Sequence, residues 1–377
     1  MFRRRNDMNK PDGSQKLVGA VLYFGIFDEN FSRNKIYADG LRQNGIKVII
    51  CNDNGKGFKK YWSLFKKHWA LRNDYDMMIV GFPGFIVVPF AKLVSLTSTR
   101  KPVVFDALCS FYETQIISRD AYKGNIFRIP YVRMIDWLAT RCADKILVET
   151  EKQRQYFIKD LGTNPSKCVV VYTGVDDLVF RADPTVKKAP EFTVLFRGRI
   201  TKEAGAVHVL RAAKLLEDTD IRFLIIGFGW GEPMDTFRNT LSTLKLENVR
   251  YIDKQLPSEE LVGLMLQCSV SLGQFEDNER LKRTIPHKAF ESLSMKIPYI
   301  TARTGGVEEV MSDGKDCLMC RPADPEDLAA KIKAIRDDPR LAGILATNGY
   351  ILYLEKFTPA KIVEPILKLI KSHEKNN

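Results

Sequence analysis

Short apolar runs alternate along the whole chain with longer segments whose apolar residues recur at helical spacing. Repeated βα units of this kind fold as parallel sheets with helices on their faces, and few other architectures accommodate them. In the first half, KLVGAVLYFGI, KVIICND, DYDMMIVGFPG, PVVFDAL and DKILVET read as strands, and NKIYADGLRQNG reads as the first helix. In the second half the strands are FTVLFRGRI, IRFLIIGFG, NVRYID, VSLGQF, PYITAR and CLMCRP. VHVLRAAKLLEDT and EELVGLMLQC have helical spacing between them. Two arrays of similar size predict two doubly wound sheets facing a cleft, with ligands held at the carboxyl ends of the strands. The polar, proline-containing stretch 181–191 marks the boundary. Domains of residues 1–185 and 186–355 follow, and residues 356–377 are expected as a C-terminal helix crossing back to the first domain.

With 377 residues there is length for two cores, and 45% hydrophobic against 28% charged residues excludes a disordered or collagen-like chain. No apolar run reaches the ~20 residues of a spanning helix. The basic start MFRRRNDMNKPDG has no apolar run behind it, so a cytoplasmic address is expected. Seven scattered cysteines suit reduced thiols, and Cys317-x-x-Cys320 lacks the second ligand pair a zinc site needs. The net charge of +12 is unevenly placed. Residues 1–185 hold 29 Lys+Arg against 19 Asp+Glu, a net of +10, which leaves +2 for the rest. The first half should therefore face something anionic.

Three segments carry candidate chemistry. Gly198, Arg199, Lys202 and Gly205 fall in a strand-to-helix turn, where backbone N–H groups and cations can hold phosphate, although Walker spacing is absent. Gly227-Phe-Gly229-Trp-Gly231 follows a strand, but Glu232 stands where a dinucleotide fingerprint needs its third glycine. After Pro286, Lys288 and Glu291 share one helix face; they suit either an anion and a ribose or a solvated ion pair.

Together, VLFRGRITKEAGAVHVLRAAKLL and IPHKAFESLSMKIPYITARTGGVEEVMSDGKDCLM resemble the phosphate and donor segments of family 4 glycosyltransferases. VVYTGVDDLVF is similar to the motif closing that family's first domain. The resemblance implies a GT-B fold of two Rossmann-like domains, a nucleoside diphosphate sugar donor and retention of configuration. It also implies that Arg199 contacts the donor diphosphate, Glu291 the ribose, and Gly305 and Gly306 the sugar or its phosphate. Lys288 matches a P-x-K variant of the donor helix, and Gly25 the glycine loop near the leaving diphosphate. Two positions depart from the pattern. Ala204 replaces the lysine before the glycine, leaving Lys202 as its nearby substitute. Arg283 replaces the first acid of an E-x7-E pair, where it could bind phosphate or an acidic sugar, or simply be solvated.

Segment 56–72 carries six Lys/Arg and no acid. On a helix, Phe58, Tyr61, Trp62, Phe65 and Trp69 share one face, while Lys59, Lys60, Lys66 and Lys67 share the other. That segregation suits an anionic membrane surface, the alternative being a core-packed helix with a solvated back. Nucleic acid is not expected, since no binding module appears. The expected protein is a glycosyltransferase peripheral to the inner face of the membrane, with a lipid-linked acceptor expected. Arg199, Lys202 and Lys288 would neutralise the leaving diphosphate, so neither metal nor cofactor is expected. Asp106, at a strand end, is the acidic candidate near the acceptor. A nucleotide-sugar 2-epimerase and an inactive nucleotide-sugar-binding protein remain the alternatives.

Overall fold

The computed structural model describes residues 19–98, 100–117 and 128–374. The basic start of the chain lies outside them. The first sheet contains β1 (Ala20–Gly25), β2 (Lys47–Asn52), β3 (Met77–Val80), β4 (Val103–Leu108), β5 (Lys145–Val148) and β6 (Cys168–Val170). Its strands are parallel, in the order β2-β1-β3-β4-β5-β6. The second contains β7 (Thr193–Arg199), β8 (Arg222–Phe228), β9 (Val249–Ile252), β10 (Val270–Leu272), β11 (Tyr299–Ala302) and β12 (Leu318–Cys320). It too is parallel, in the order β12-β11-β10-β7-β8-β9. The strand order reverses beside β1 in one sheet and beside β7 in the other, so each domain has its crevice at the end of its own first strand.

Burial on both faces explains the unbroken apolar runs of these strands. Leu22, Met78, Phe105 and Ile146 pack under the helices of one face of the first sheet. Val21, Ile79 and Leu147 face the other way, into a core shared with the helix Ser32–Gln43. The chain returns to that face at its far end. A Cβ on Gly40 would collide with the Pro359 carbonyl, and Asn44 Nδ2 donates to Ala360 O at 3.0 Å. Ile366 and Ile370, of the helix Glu364–Glu374, complete the core there. No helix among the described residues is long and apolar enough to cross a membrane.

Candidate active site in the interdomain cleft

The phosphate turn is built from glycines that let loops touch. Gly198, next to last in β7, has φ +106°, and a Cβ there would lie 3.2 Å from Lys288 Cε. Gly205, at φ +62°, opens the helix Ala206–Leu215, and a Cβ there would lie 2.7 Å from Glu276 N. A Cβ on Gly227 would lie 2.7 Å from Gly198 O. The ends of β7, β8 and β10 are therefore pressed together where the strand order reverses. Above them the Arg199 guanidinium stacks 3.8 Å from the Trp230 ring centre. Lys202 is exposed in the one-turn 3-10 helix Lys202–Ala204. Ala204 is fully buried in the second domain's core, so a lysine's place there is filled by a methyl group that faces inward, away from any phosphate.

Lys288 lies in the first turn of the helix His287–Ser294. Its Nζ is 3.4 Å from Gly273 O and 4.3 Å from the Phe196 ring centre. Burial of the ammonium, reinforced by nearby Arg197, lowers its pKa to about 7. Glu291, one turn on, points elsewhere. It pairs with Arg197 of β7, and its other oxygen lies 3.2 Å from His287 Nδ1. Burial alone would raise this carboxyl; Arg197 and His287 overcome it and bring the pKa to about 2. Arg197 and His287 escape sequence reasoning, although a charge interrupting the apolar run TVLF was the available signal.

Three expectations change. Arg283, 18% exposed, is already paired, because it crosses the cleft to Glu113. Its Nη2 and Nε lie 2.9 and 3.1 Å from that fully buried carboxylate, and its guanidinium covers Tyr156. Glu113 also accepts from Ser110 N at 2.9 Å and Gln153 Nε2 at 2.5 Å. Asp106 cannot meet an acceptor: it is fully buried, with Arg33 Nε at 2.8 Å. A carboxylate so buried and paired cannot exchange protons with a substrate. Finally, Tyr61 turns inward against Phe90, 5.2 Å between ring centres, and leaves the aromatic face it was expected to share.

Gly305 and Gly306 lie at the domain boundary. A Cβ on Gly305 would meet Lys152 Cε and Lys282 O, both at 3.1 Å, and one on Gly306 would meet Thr284 O at 2.7 Å. Nearby, Glu309 accepts from the N–H groups of Glu151 and Lys152 at 2.7 Å each, so a second-domain carboxylate caps a first-domain helix. Ile285 N donates to Glu149 at 3.2 Å. Gly25, at φ +140°, ends β1 at the first domain's own crevice. Among the described residues no group of three His, Cys, Asp or Glu could hold a metal.

Two parallel sheets joined across such a cleft define the GT-B architecture. Solved structures share it. Anabaena HepE, in complex with UDP, aligns with a TM-score of 0.68 and 15% identity over 94% of this chain and 100% of that one. Sucrose-phosphate synthase from Thermosynechococcus elongatus aligns with a TM-score of 0.71 and 14% identity over 95% and 99%. Residues 182–352 match the family described as Glycosyl transferases group 1. The chain is 24% identical over 243 residues to D-inositol 3-phosphate glycosyltransferase of Thermomonospora curvata, covering 58% of this chain and 55% of that one. It is 23% identical over 216 residues to MMP alpha-(1->4)-mannosyltransferase of Mycolicibacterium hassiacum, covering 57% and 50%. The chain thus spans about half the length of the curated relatives it matches.

Proposed function

We propose that the protein is a retaining glycosyltransferase that moves a sugar from a nucleoside diphosphate to a lipid-linked acceptor at the cytoplasmic face of a membrane. The observation that carries the reading is the convergence of Arg199 and Lys288 on the glycine turn at the end of β7, with Lys202 in the turn that follows. As the diphosphate departs, charge grows on its oxygens, and cations already in position stabilise it without reorganising. The reaction then needs no metal and no other cofactor. Gly305 and Gly306 offer backbone N–H groups to the sugar side of the donor, and Gly25 closes over the diphosphate from the first domain. Because Glu113 already balances Arg283, an acidic sugar would gain nothing at that position, which favours a neutral one.

The membrane location is supported by the helix Lys59–Leu71, where Trp62 and Trp69 stay 61% and 47% exposed and Phe58, just before it, 90% exposed. Phe65 stacks between the tryptophans at 5.5 and 5.9 Å. Lys59, Lys60, Lys66 and Lys67 would meet anionic headgroups alongside them.

The test is a panel of nucleotide sugars screened for thermal stabilisation, followed by product analysis with and without lipid acceptors. A stabilising donor that is consumed only with acceptor supports transfer. A donor altered without any acceptor would identify an epimerase, and binding with no turnover would leave an inactive sugar-nucleotide binder.

A further inference from the structure

We propose that two more helices, Val88–Leu96 and Arg128–Cys142, complete a single bilayer-docking face with Lys59–Leu71. The proposal rests on the reading of the first domain as the membrane-facing one and gives that contact its extent. The three helices connect β2 to β3, β3 to β4 and β4 to β5, steps that run in one direction along the sheet. Right-handed crossovers therefore place them in one layer. Their inner residues agree, since Leu64, Val88, Ala91, Ile135 and Ala139 share one core. Their outer sides consequently look the same way.

Those outer sides are apolar where a surface helix is ordinarily polar. Leu93 and Leu96 are exposed on the second helix; Tyr131, Met134 and Trp137 are exposed on the third, Trp137 by 52%. Large apolar side chains exposed on neighbouring helices of one layer mark an interaction surface. Charge identifies the partner. The three helices contain one acid between them, Asp136, and it is buried, accepting from Phe111 N and Tyr112 N at 2.6 and 2.9 Å. None of the three helices presents an acid of its own to the outside, and the neighbouring loop acids Asp53 and Asp144 are paired with Lys67 and Lys92 at 3.7 and 2.6 Å.

Cations instead flank the aromatics in the same manner on two separate helices. Lys66 Nζ is 5.4 Å from the Trp62 ring centre, and the Arg141 guanidinium is 5.8 Å from that of Trp137. Arg133 covers Tyr112 at 4.9 Å. Aromatic rings at headgroup depth beside cations at phosphate level is the arrangement a bilayer interface selects. A protein interface would deplete lysine from its centre, whereas Lys60 and Lys66 flank the aromatics directly, 5.7 and 5.4 Å from the Tyr61 and Trp62 ring centres. Helices that follow parallel strands begin at the carboxyl ends of those strands. The upper edge of the face is therefore the rim of the cleft, and an acceptor anchored in the bilayer would enter from that edge.

The experiment uses sedimentation of the full chain with phosphatidylcholine vesicles, with and without phosphatidylserine, beside a melting curve. Each cation near an anionic surface contributes about fivefold in affinity, so Arg133→Glu with Arg141→Glu should cost at least ~25-fold with the melting temperature unchanged. As a second measurement, Trp62, Trp69 and Trp230 are replaced by Phe, which leaves Trp137 as the fluorophore. Brominated phosphatidylcholine in the anionic vesicles should quench it. Unchanged vesicle binding of the Arg variant, or an unquenched Trp137 in a vesicle-bound protein, would overturn the proposal and leave a one-helix anchor. Loss of a dimer in these variants with no vesicle binding by the wild type would overturn it in favour of self-association. Stabilisation by UDP or GDP, read on the wild type and on the Arg variant, keeps the two readings apart. If neither nucleotide stabilises any form yet the Arg variant detaches, the docking face stands and the transferase reading falls.

Discussion

A guanidinium in the middle of a buried strand must be answered by an opposite charge, and Arg197 is answered by Glu291. Sequence spacing showed that Lys288 and Glu291 share a helix face, but not that Glu291 turns to an arginine 94 residues away. Glu291→Ala would leave that arginine buried and unpaired, at a cost of about 3–5 kcal/mol. Loss of activity in that variant would therefore be confounded with loss of fold, as its melting curve should show. Glu291→Gln retains a hydrogen-bond acceptor and is the fairer probe of the donor site. Arg199→Ala removes an exposed side chain stacked on Trp230 and should lower turnover about 100-fold with the fold intact. Lys288 gives a pH signature. Its pKa of about 7 without ligand lies below the ordinary 10.5, and a bound diphosphate favours the ammonium and raises it. Above pH 7 binding then takes up a proton, so affinity should fall by up to tenfold per pH unit as pH rises. Calorimetry in buffers of different ionisation heat should detect this uptake in the wild type and none in Lys288→Met. Because these cations are part of the protein, turnover should survive EDTA; full loss restored by Mg²⁺ or Mn²⁺ would contradict the mechanism.

Helix Lys59–Leu71 shows what one element reveals to sequence reading and what it hides. Its amphipathic character was legible, and so were the outward Trp62 and Trp69. The stripe it buries was not, because it runs through Leu64 and His68 with Tyr61 beside them, and histidine reads as polar. In the fold His68 Nε2 shares a 2.8 Å hydrogen bond with the Tyr75 hydroxyl. Burial, helped by Lys101 and Arg72, lowers its pKa to about 4, so it packs as a neutral ring. Since the tryptophans lie outside the core, Trp62→Ala with Trp69→Ala should leave stability within about 0.5 kcal/mol per site and weaken vesicle binding with little dependence on salt. Reversing Lys59, Lys60, Lys66 and Lys67 to Glu should abolish that binding, with a steep salt dependence in partial reversals. β6 was also illegible, for a different reason. Three residues paired along β5 are too short to display a period, and only the finished sheet defines them as a strand.

For the whole molecule, the two arrays of strands were readable because parallel sheets write their burial directly into apolar runs; the contacts between the domains were not. Glu113 and Arg283 lie 170 residues apart, and nothing local to either predicts the other. Their pairing is asymmetric in its consequences. Arg283→Ala strands a fully buried carboxylate and should lower stability by about 3–5 kcal/mol, whereas Glu113→Gln leaves a partly exposed arginine and should cost less. Denaturant unfolding of both variants and of the double variant would measure the coupling. The return of the chain to its first domain has a mechanical result. The main chain passes between the domains twice, and the two passages touch: Tyr353 donates to Asp177 at 3.1 Å, and Tyr172 packs edge-on against Phe357 at 5.5 Å. A lone tether would let one lobe swivel in any direction. Two tethers bonded side by side act like the paired leaves of a door hinge, restricting relative movement to rotation about the line that joins them. Any opening of the cleft is thereby confined to one path, and Arg283 and Glu113 are the pair it would part.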